Sequence, residues 1–258
     1  MVKSPANRIR AEAAATRLWQ RFCLSGPKEL DLTAVAAARN VFVVEKPLDS
    51  ADAWLVRQGN YGLIRVSTRI EEPGRKRYAV AHELGHFELH AMVTQLAACT
   101  SQDMQADYKA SAPELEANWF AAELLMPAKL FTKELGHTVP EFDSVRRLAS
   151  YFDTTMTATA VRMVELSDEE CAFVVSEKGR VRWWRASERF RDRYWLECGR
   201  RLPVESAAGA VFAGERPSIV SVRVDAVAWT GKDDGEEWWE DVVVSERYGQ
   251  VFSLLRPA

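Results

Sequence analysis

Five consecutive residues, His82-Glu83-Leu84-Gly85-His86, constrain this chain more than any others, because they lie inside an apolar stretch of helical character. Residues four apart on a helix share a face, so both imidazoles can reach a single zinc ion from one rigid element. Glu83 points at a different angle. It is the candidate base that takes a proton from water attacking a carbonyl, as in metal-assisted peptide hydrolysis. The neighbouring Tyr78, Val80, Leu84 and Leu89 make the setting apolar, where two histidines without a shared partner are poorly placed. The competing reading of the five residues is a plain helix with the two histidines and the glutamate turned to solvent. The chain has four histidines, and three of them, His82, His86 and His90, fall on this helix.

His90 follows His86 by four residues, yet a straight helix carries it about 12 Å along the axis from His82, too far for the same ion. Its expected part is a hydrogen bond to a ligand, or packing at the helix end. A glycine-spaced third histidine is absent, since Leu89 and Met92 stand at the positions it needs. A third ligand is therefore expected from the later apolar helix that begins at Pro113 and stops at Pro127, where Glu114, Glu116 and Glu123 compete. Ala117, Asn118, Ala121 and Ala122 follow Glu114 at helical spacing, and this small-residue face allows close approach to the His82–His86 helix. Glu116 and Glu123 share another side, expected to reach solvent at least in part. Glu114 is thus the expected ligand, against the alternative that it closes an S-x-x-E capping box with Ser111. Asn118, one turn after Glu114, is then placed to hydrogen-bond a metal-binding side chain.

The rest of the chain divides by pattern. Residues Asn7 to Leu24 read as an amphipathic helix, with Ile9, Ala13, Leu18 and Phe22 at helical spacing and Ser25-Gly26-Pro27 ending it. A second helix is expected from an Asp31 cap to Ala38, then a strand over Val41–Val44. Trp54–Val56 and Tyr61–Val66 flank Gln58-Gly59-Asn60 as a hairpin. The histidine helix is expected from Tyr78 to about Leu96, followed by a polar stretch from Thr100 to Ser111. Between Ser144 and Leu166 two helical patterns meet at Asp153-Thr154-Thr155. Beyond Leu166 come short β-rich runs such as Ala172–Val175, Val181–Trp184, Ile219–Val224 and Asp241–Val244, in a region that holds six of the nine tryptophans. The expected fold is α+β: a protease-like domain over 1–130 with a small sheet, a helical subdomain over 131–167, and a β-rich C-terminal module over 168–258.

Charge narrows the function classes. Lys plus Arg total 34 against 37 Asp plus Glu, so no global field draws the chain to nucleic acid or anionic lipid. The helix pair before Leu166 has the outline of a helix-turn-helix, but its second helix carries only Arg162 as a base, and direct DNA binding is not expected. No run reaches the length of a membrane helix, and the N-terminus lacks the apolar core of a secretory signal. Cys23, Cys99, Cys171 and Cys198 are scattered without a C-x-x-C pair, which fits reduced thiols in a cytoplasmic protein. The tryptophans at 183, 184, 195, 229, 238 and 239 are read as core, with a ligand pocket as the alternative. The run Lys232 to Glu237 reads as a solvated loop.

The segment Arg77-Tyr78-Ala79-Val80-Ala81-His82-Glu83-Leu84-Gly85-His86, taken with Pro113-Glu114-Leu115-Glu116-Ala117-Asn118-Trp119-Phe120-Ala121-Ala122-Glu123-Leu124-Leu125-Met126-Pro127, closely resembles the ImmA/IrrE family of metallo-endopeptidases. The resemblance covers about Leu63 to Leu166. It implies a zincin-like, specifically gluzincin-like, protease with Zn²⁺ held by His82 and His86 and with Glu83 as base. The family pattern of a glutamate three residues before Ala-Asn also selects Glu114. It further implies a substrate: a helix-turn-helix transcriptional repressor, cleaved to release stress-response or mobile-element genes. The reading from a different class is a non-catalytic regulator, binding DNA or a partner, that keeps a structural metal. The retained Glu83 separates the two, because a structural site has no use for a base.

Overall fold

The computed structural model describes residues 5–49, 51–90, 98–99, 111–214 and 221–258. They form two compact units, Met1–Phe131 with Ala149–Thr155, and Thr132–Leu148 with Met156–Ala258. Both mix helices with a sheet, which agrees with the α+β expectation.

The first unit opens with α1 (Arg8–Arg21), whose Asn7 cap accepts a hydrogen bond from the Arg10 amide. Its buried face is Ala11, Ala14, Ala15 and Leu18, whereas Ile9 stands 82% exposed. The expected face built on Ile9 and Ala13 is thus displaced. Small alanines win because they let a neighbouring backbone come close, an advantage that hydrophobicity alone does not measure. Helix α2 (Leu32–Ala37) starts from Asp31, which caps the amides of Thr33 and Ala34.

Strands β1 (Val41–Lys46), β2 (Ala53–Gln58), β3 (Tyr61–Ser67) and the short β4 (Ala98–Cys99) form one sheet in the order β1-β3-β2-β4. β2 and β3 make the expected hairpin, with Leu55 opposite Ile64 and Ala53 opposite Val66. β1 runs parallel to β3.

Helix α3 (Pro73–Leu89) carries the histidines. It starts five residues before the expected Tyr78, because Pro73 at its first position is already preset for helical φ. Three consecutive basic residues, Arg75, Lys76 and Arg77, lie inside its first turns and tie it to its surroundings. Arg75 makes a forked pair with Asp52 at 2.8–2.9 Å, and Lys76 meets Glu45 at 2.8 Å. At the other end Arg39 grips Glu88 at 2.7 and 3.2 Å, while Arg57 Nη1 donates to the Phe87 carbonyl at 2.7 Å. Cations at a helix C-terminus satisfy carbonyls that have no partner within the helix. His90 is the C-cap, at φ −123°, so the helix ends before the expected Leu96; the expectation beyond His90 and most of the polar stretch lie outside the described residues.

Helix α4 (Ala112–Leu125) lies against both α3 and α1. Contact with α3 is close because Gly85 lacks a side chain. A Cβ there would sit 2.9 Å from Phe120 Cδ1 and 3.2 Å from Ala117 Cα. Trp19 of α1 donates its indole N–H to the Leu124 carbonyl at 2.8 Å and holds the far end of α4. Helix α5 (Ala128–Leu135) follows, with both Glu123 carboxylate oxygens 3.2–3.3 Å from the Ala128 amide at its start. Helices α6 (Phe142–Phe152) and α7 (Met156–Leu166) flank the expected break, where Asp153 takes φ 55°. Gly74 of α3 abuts that turn: a Cβ would lie 2.7 Å from the Thr154 carbonyl carbon.

In the second unit β5 (Ala172–Glu177), β6 (Arg180–Ala186), β7 (Val222–Asp225), β8 (Glu237–Ser245) and β9 (Gln250–Pro257) form an antiparallel sheet in the order β6-β5-β9-β8-β7. The central strand β9 has no counterpart among the expected runs, since its apolar stretch lacks the period-two alternation that marks half-buried strands. Short helices α8 (Glu188–Arg193), α9 (Ala207–Phe212) and α10 (Ala226–Thr230) interrupt the strands. Helix α7 lies on β5 and β6. Trp184, Trp229 and Trp238 are buried in the core with Phe190, Tyr194 and Leu255, as expected for core tryptophans, whereas Trp195 is 59% exposed. Arg162 of α7 is 2% exposed, so the single base of that helix is not a surface cation.

Glu240 of β8 is fully buried and joins this core to α9: its carboxylate accepts from the Ala207 and Ala208 amides at 3.0 and 3.1 Å and from Ser253 Oγ at 3.1 Å. Burial raises its pKa, partly opposed by these donors. Glu240→Ala strands the donors and is expected to destabilise the protein by about 1–3 kcal/mol in urea unfolding. Gly85→Val forces α3 from α4 and is expected to cost about 1–3 kcal/mol by the same measurement. It should also weaken zinc binding, which Glu240→Ala should leave unchanged.

Candidate metal centre

The site is built from α3 and α4. On α3 the four-residue spacing brings the His82 and His86 rings together, edge to face, with centroids 4.7 Å apart and Nε2 atoms 3.0 Å apart. Glu114, in the first turn of α4, faces both. Its Oε2 is 3.1 Å from His82 Nε2 and its Oε1 3.4 Å from His86 Nε2. The ligand atoms of His82, His86 and Glu114 all lie within 4.8 Å of one another. Ligand atoms about 2.0–2.1 Å from a tetrahedral ion stand about 3.3 Å apart, so the observed spacings fit a common divalent ion. The donors, two imidazoles and a carboxylate, suit zinc and leave a fourth position open.

Burial makes this cluster an unusual place for polar groups. His82 is 0%, Glu83 1% and His86 3% exposed. Burial pushes the Glu114 carboxyl up, but hydrogen bonds and charge from His82 and His86 outweigh it and hold the group far below the usual carboxylate range. The carboxylate is thus kept anionic, the form that binds a cation. Ser111 caps α4 without a side-chain hydrogen bond, so the capping-box alternative for Glu114 lacks its Ser111 half.

Around the triad each histidine has a partner on its other nitrogen. His82 Nδ1 is 2.9 Å from Asn118 Oδ1, which also accepts from the Tyr78 hydroxyl at 3.1 Å. Were Nε2 to hold an ion, Nδ1 would carry the proton and donate to Asn118. His86 Nδ1 is 3.2 Å from His90 Nδ1, so His90 contacts a member of the triad and is itself outside it. His90 Nε2 is 2.9 Å from Glu116 Oε2. Burial lowers the His90 pKa, and Glu116 opposes this in part.

Glu116 and Glu123 depart from the expectation of a solvent-reaching face, being 6% and 8% exposed. The reason is that α1 and the start of α5 cover that side. Glu116 accepts from the Asn7 amide at 2.9 Å and pairs with Arg10 Nη1 at 3.4 Å, while Glu123 caps α5. Sequence reasoning counted Tyr78 only as apolar setting, missing its hydroxyl's bond to Asn118, and passed over Asn7 and Arg10 as parts of the site's surroundings. Only His90 gave a signal, since a histidine in an apolar setting calls for an acceptor.

A family model, Peptidase_M78 with the description IrrE N-terminal-like domain, matches residues 36–164, half of the chain. The chain belongs to this family. The match spans α3, α4 and all three members of the triad, and Peptidase_M78 membership agrees with the resemblance carried by the two helical motifs. No curated protein matches the chain. Among solved structures, a Mycobacterium tuberculosis transcriptional regulator is similar in fold, with TM-score 0.63 and 16% identity over 96% of this chain and 76% of that one.

If Glu114 is the third ligand, Glu114→Ala loses bound zinc, whereas Glu116→Ala and Glu123→Ala keep one ion per chain at saturating zinc. Metal analysis of the three purified variants checks this; a full complement in Glu114→Ala would move the assignment elsewhere.

Proposed function

We propose that this Peptidase_M78 chain is a zinc-dependent endopeptidase with a zincin-like catalytic domain, and that it cleaves a helix-turn-helix transcriptional repressor to release stress-response or mobile-element genes. The observation that carries the reading is a buried glutamate, Glu83, next to His82 on the helix that supplies two of three clustered metal-binding side chains. A metal held only for structure has no need of it.

When bound, zinc supplies the Lewis acid that polarises a peptide carbonyl and acidifies water. The residues of the chain do the rest. His82, His86 and Glu114 would hold the ion. Glu83 takes the proton of the attacking water and returns it to the leaving amine. Asn118 fixes the tautomer of His82.

The substrate rests on the family and on charge. With a net charge of −3 and Arg162 buried, the chain is better suited to act on a DNA-binding protein than on DNA. The structural neighbour is a transcriptional regulator, which is in keeping with a place in transcriptional control. We further read 1–130 as the protease domain, 131–167 as a helical subdomain and 168–258 as a regulatory module, in a protein acting in the cytoplasm.

Incubation with the helix-turn-helix repressor encoded nearest the gene, with and without a chelator, tests the proposal by mass measurement of products. A discrete, chelator-sensitive cut is expected. Glu83→Gln keeps its zinc and its fold and loses at least about 100-fold in cleavage rate, the scale of general-base catalysis. Undiminished cleavage by this variant would remove Glu83 as base.

A further inference from the structure

We propose that Glu116 is a positioning residue that acts through His90 to orient His86. This rests on the zinc reading above and extends it to residues outside the triad.

The geometry runs in one direction. His86 turns Nε2 toward His82 and Glu114, so its Nδ1 must carry the proton when Nε2 binds an ion. That Nδ1–H has one acceptor in reach among the described residues, Nδ1 of His90 at 3.2 Å. A histidine that accepts on Nδ1 and is neutral carries its own proton on Nε2, and Nε2 of His90 faces Glu116 Oε2 at 2.9 Å. Each ring therefore passes a hydrogen bond outward, and Glu116 ends the chain as an acceptor.

Glu116 is held for that part. Its Oε1 accepts from the Asn7 amide at 2.9 Å, and its Oε2 also meets Arg10 Nη1 at 3.4 Å. Asn7 is the N-cap of α1, so its amide has no helical partner and is fixed in direction by the helix behind it. Arg10 Nη2 donates as well to the Leu89 carbonyl, which secures the end of α3 next to His90. The start of α1 thus clamps the two groups that set the His90 ring. Glu116 and His90 are themselves almost excluded from solvent, with side chains 8% and 10% exposed. A buried carboxylate and imidazole are poor choices if the only task is to fill space. A carboxylate at the end of a histidine chain makes the metal-binding nitrogen more basic and fixes the ring plane, effects that typically change metal affinity 10- to 100-fold.

The test measures zinc affinity by competition with a chromophoric chelator for wild type, Glu116→Ala, Glu116→Gln, His90→Phe and the Glu116→Ala/His90→Phe double variant. Circular dichroism and the Tm of each metal-free protein monitor the fold. Glu116→Ala and His90→Phe are each expected to weaken zinc binding by about 10- to 100-fold. Glu116→Gln, which keeps an acceptor for His90, should recover part of the loss. The double variant should be no weaker than the poorer single one, because Glu116 acts only through His90. The visible spectrum of the Co²⁺-loaded protein should shift in the same variants. Unchanged affinity in folded single variants overturns the proposal, and so do losses that multiply in the double variant. If Glu116→Ala fails to fold, His90→Phe decides alone by the same criterion. Wild-type protein that binds no zinc overturns the metal reading itself. Zinc-binding wild type with unaffected variants overturns only the role of Glu116 and His90.

Discussion

The contact between α3 and α4 at Gly85 is the constraint on which the site depends. Two histidines on one helix can present two nitrogens, but the carboxylate that completes the triad comes from another helix whose axis must pass very close. Gly85 on one side and Ala117 on the other remove the side chains that would hold the helices apart. Phe120 then fills the space beside Gly85, and Glu114 is carried to within 3.4 Å of both imidazoles. A methyl group at position 85 would meet the Phe120 ring and the Ala117 Cα on α4, so a single hydrogen in place of a side chain sets how closely Glu114 is carried to the histidines.

The elements around this contact act as braces. Ion pairs at both ends of α3 reach Asp52 just before β2, Glu45 on β1 and Arg39 in the turn after α2. Exposed pairs contribute little, but the forked arginine pairs here are largely shielded from solvent and fix direction as well as distance. α1 packs through alanines and reaches α4 from the other side. The polar groups buried near the triad are joined in ordered chains, His82 to Asn118 and Tyr78, and His86 to His90 and Glu116, which is how a low-dielectric interior keeps imidazoles oriented.

The second unit solves a different problem with similar means. Its sheet needs a core thick enough to cover one face, and the tryptophans at 184, 229 and 238 with Phe190 and Tyr194 supply it. Glu240 sits inside that core because three donors converge on it, two of them the unsatisfied first amides of α9. The carboxylate is costly to bury, yet it settles groups that would be as costly to leave without an acceptor.

Much of this protein was legible before any coordinate. The spacing of His82 and His86 implied one helical face; Asp31, as a capping residue, marked a helix start; Gly59 in a turn-rich centre marked the β2–β3 hairpin. Small residues after Glu114 implied a close helix crossing. These features are local or periodic, so a linear pattern contains them. What the pattern could not contain was which faces are covered by segments distant in the chain. Glu116 read as half-exposed because nothing near it in sequence reveals that Asn7, 109 residues earlier, donates to it. Ile9 read as core because hydrophobicity says nothing about whether a partner needs small residues in order to approach. β9 escaped notice because a central strand, buried on both sides, shows no alternation. The sequence by itself determined the chemistry on offer, two imidazoles and a neighbouring carboxylate on one helix. The tertiary structure decided the rest, because burial and the pairing of polar groups are set by contacts between residues that only folding brings together.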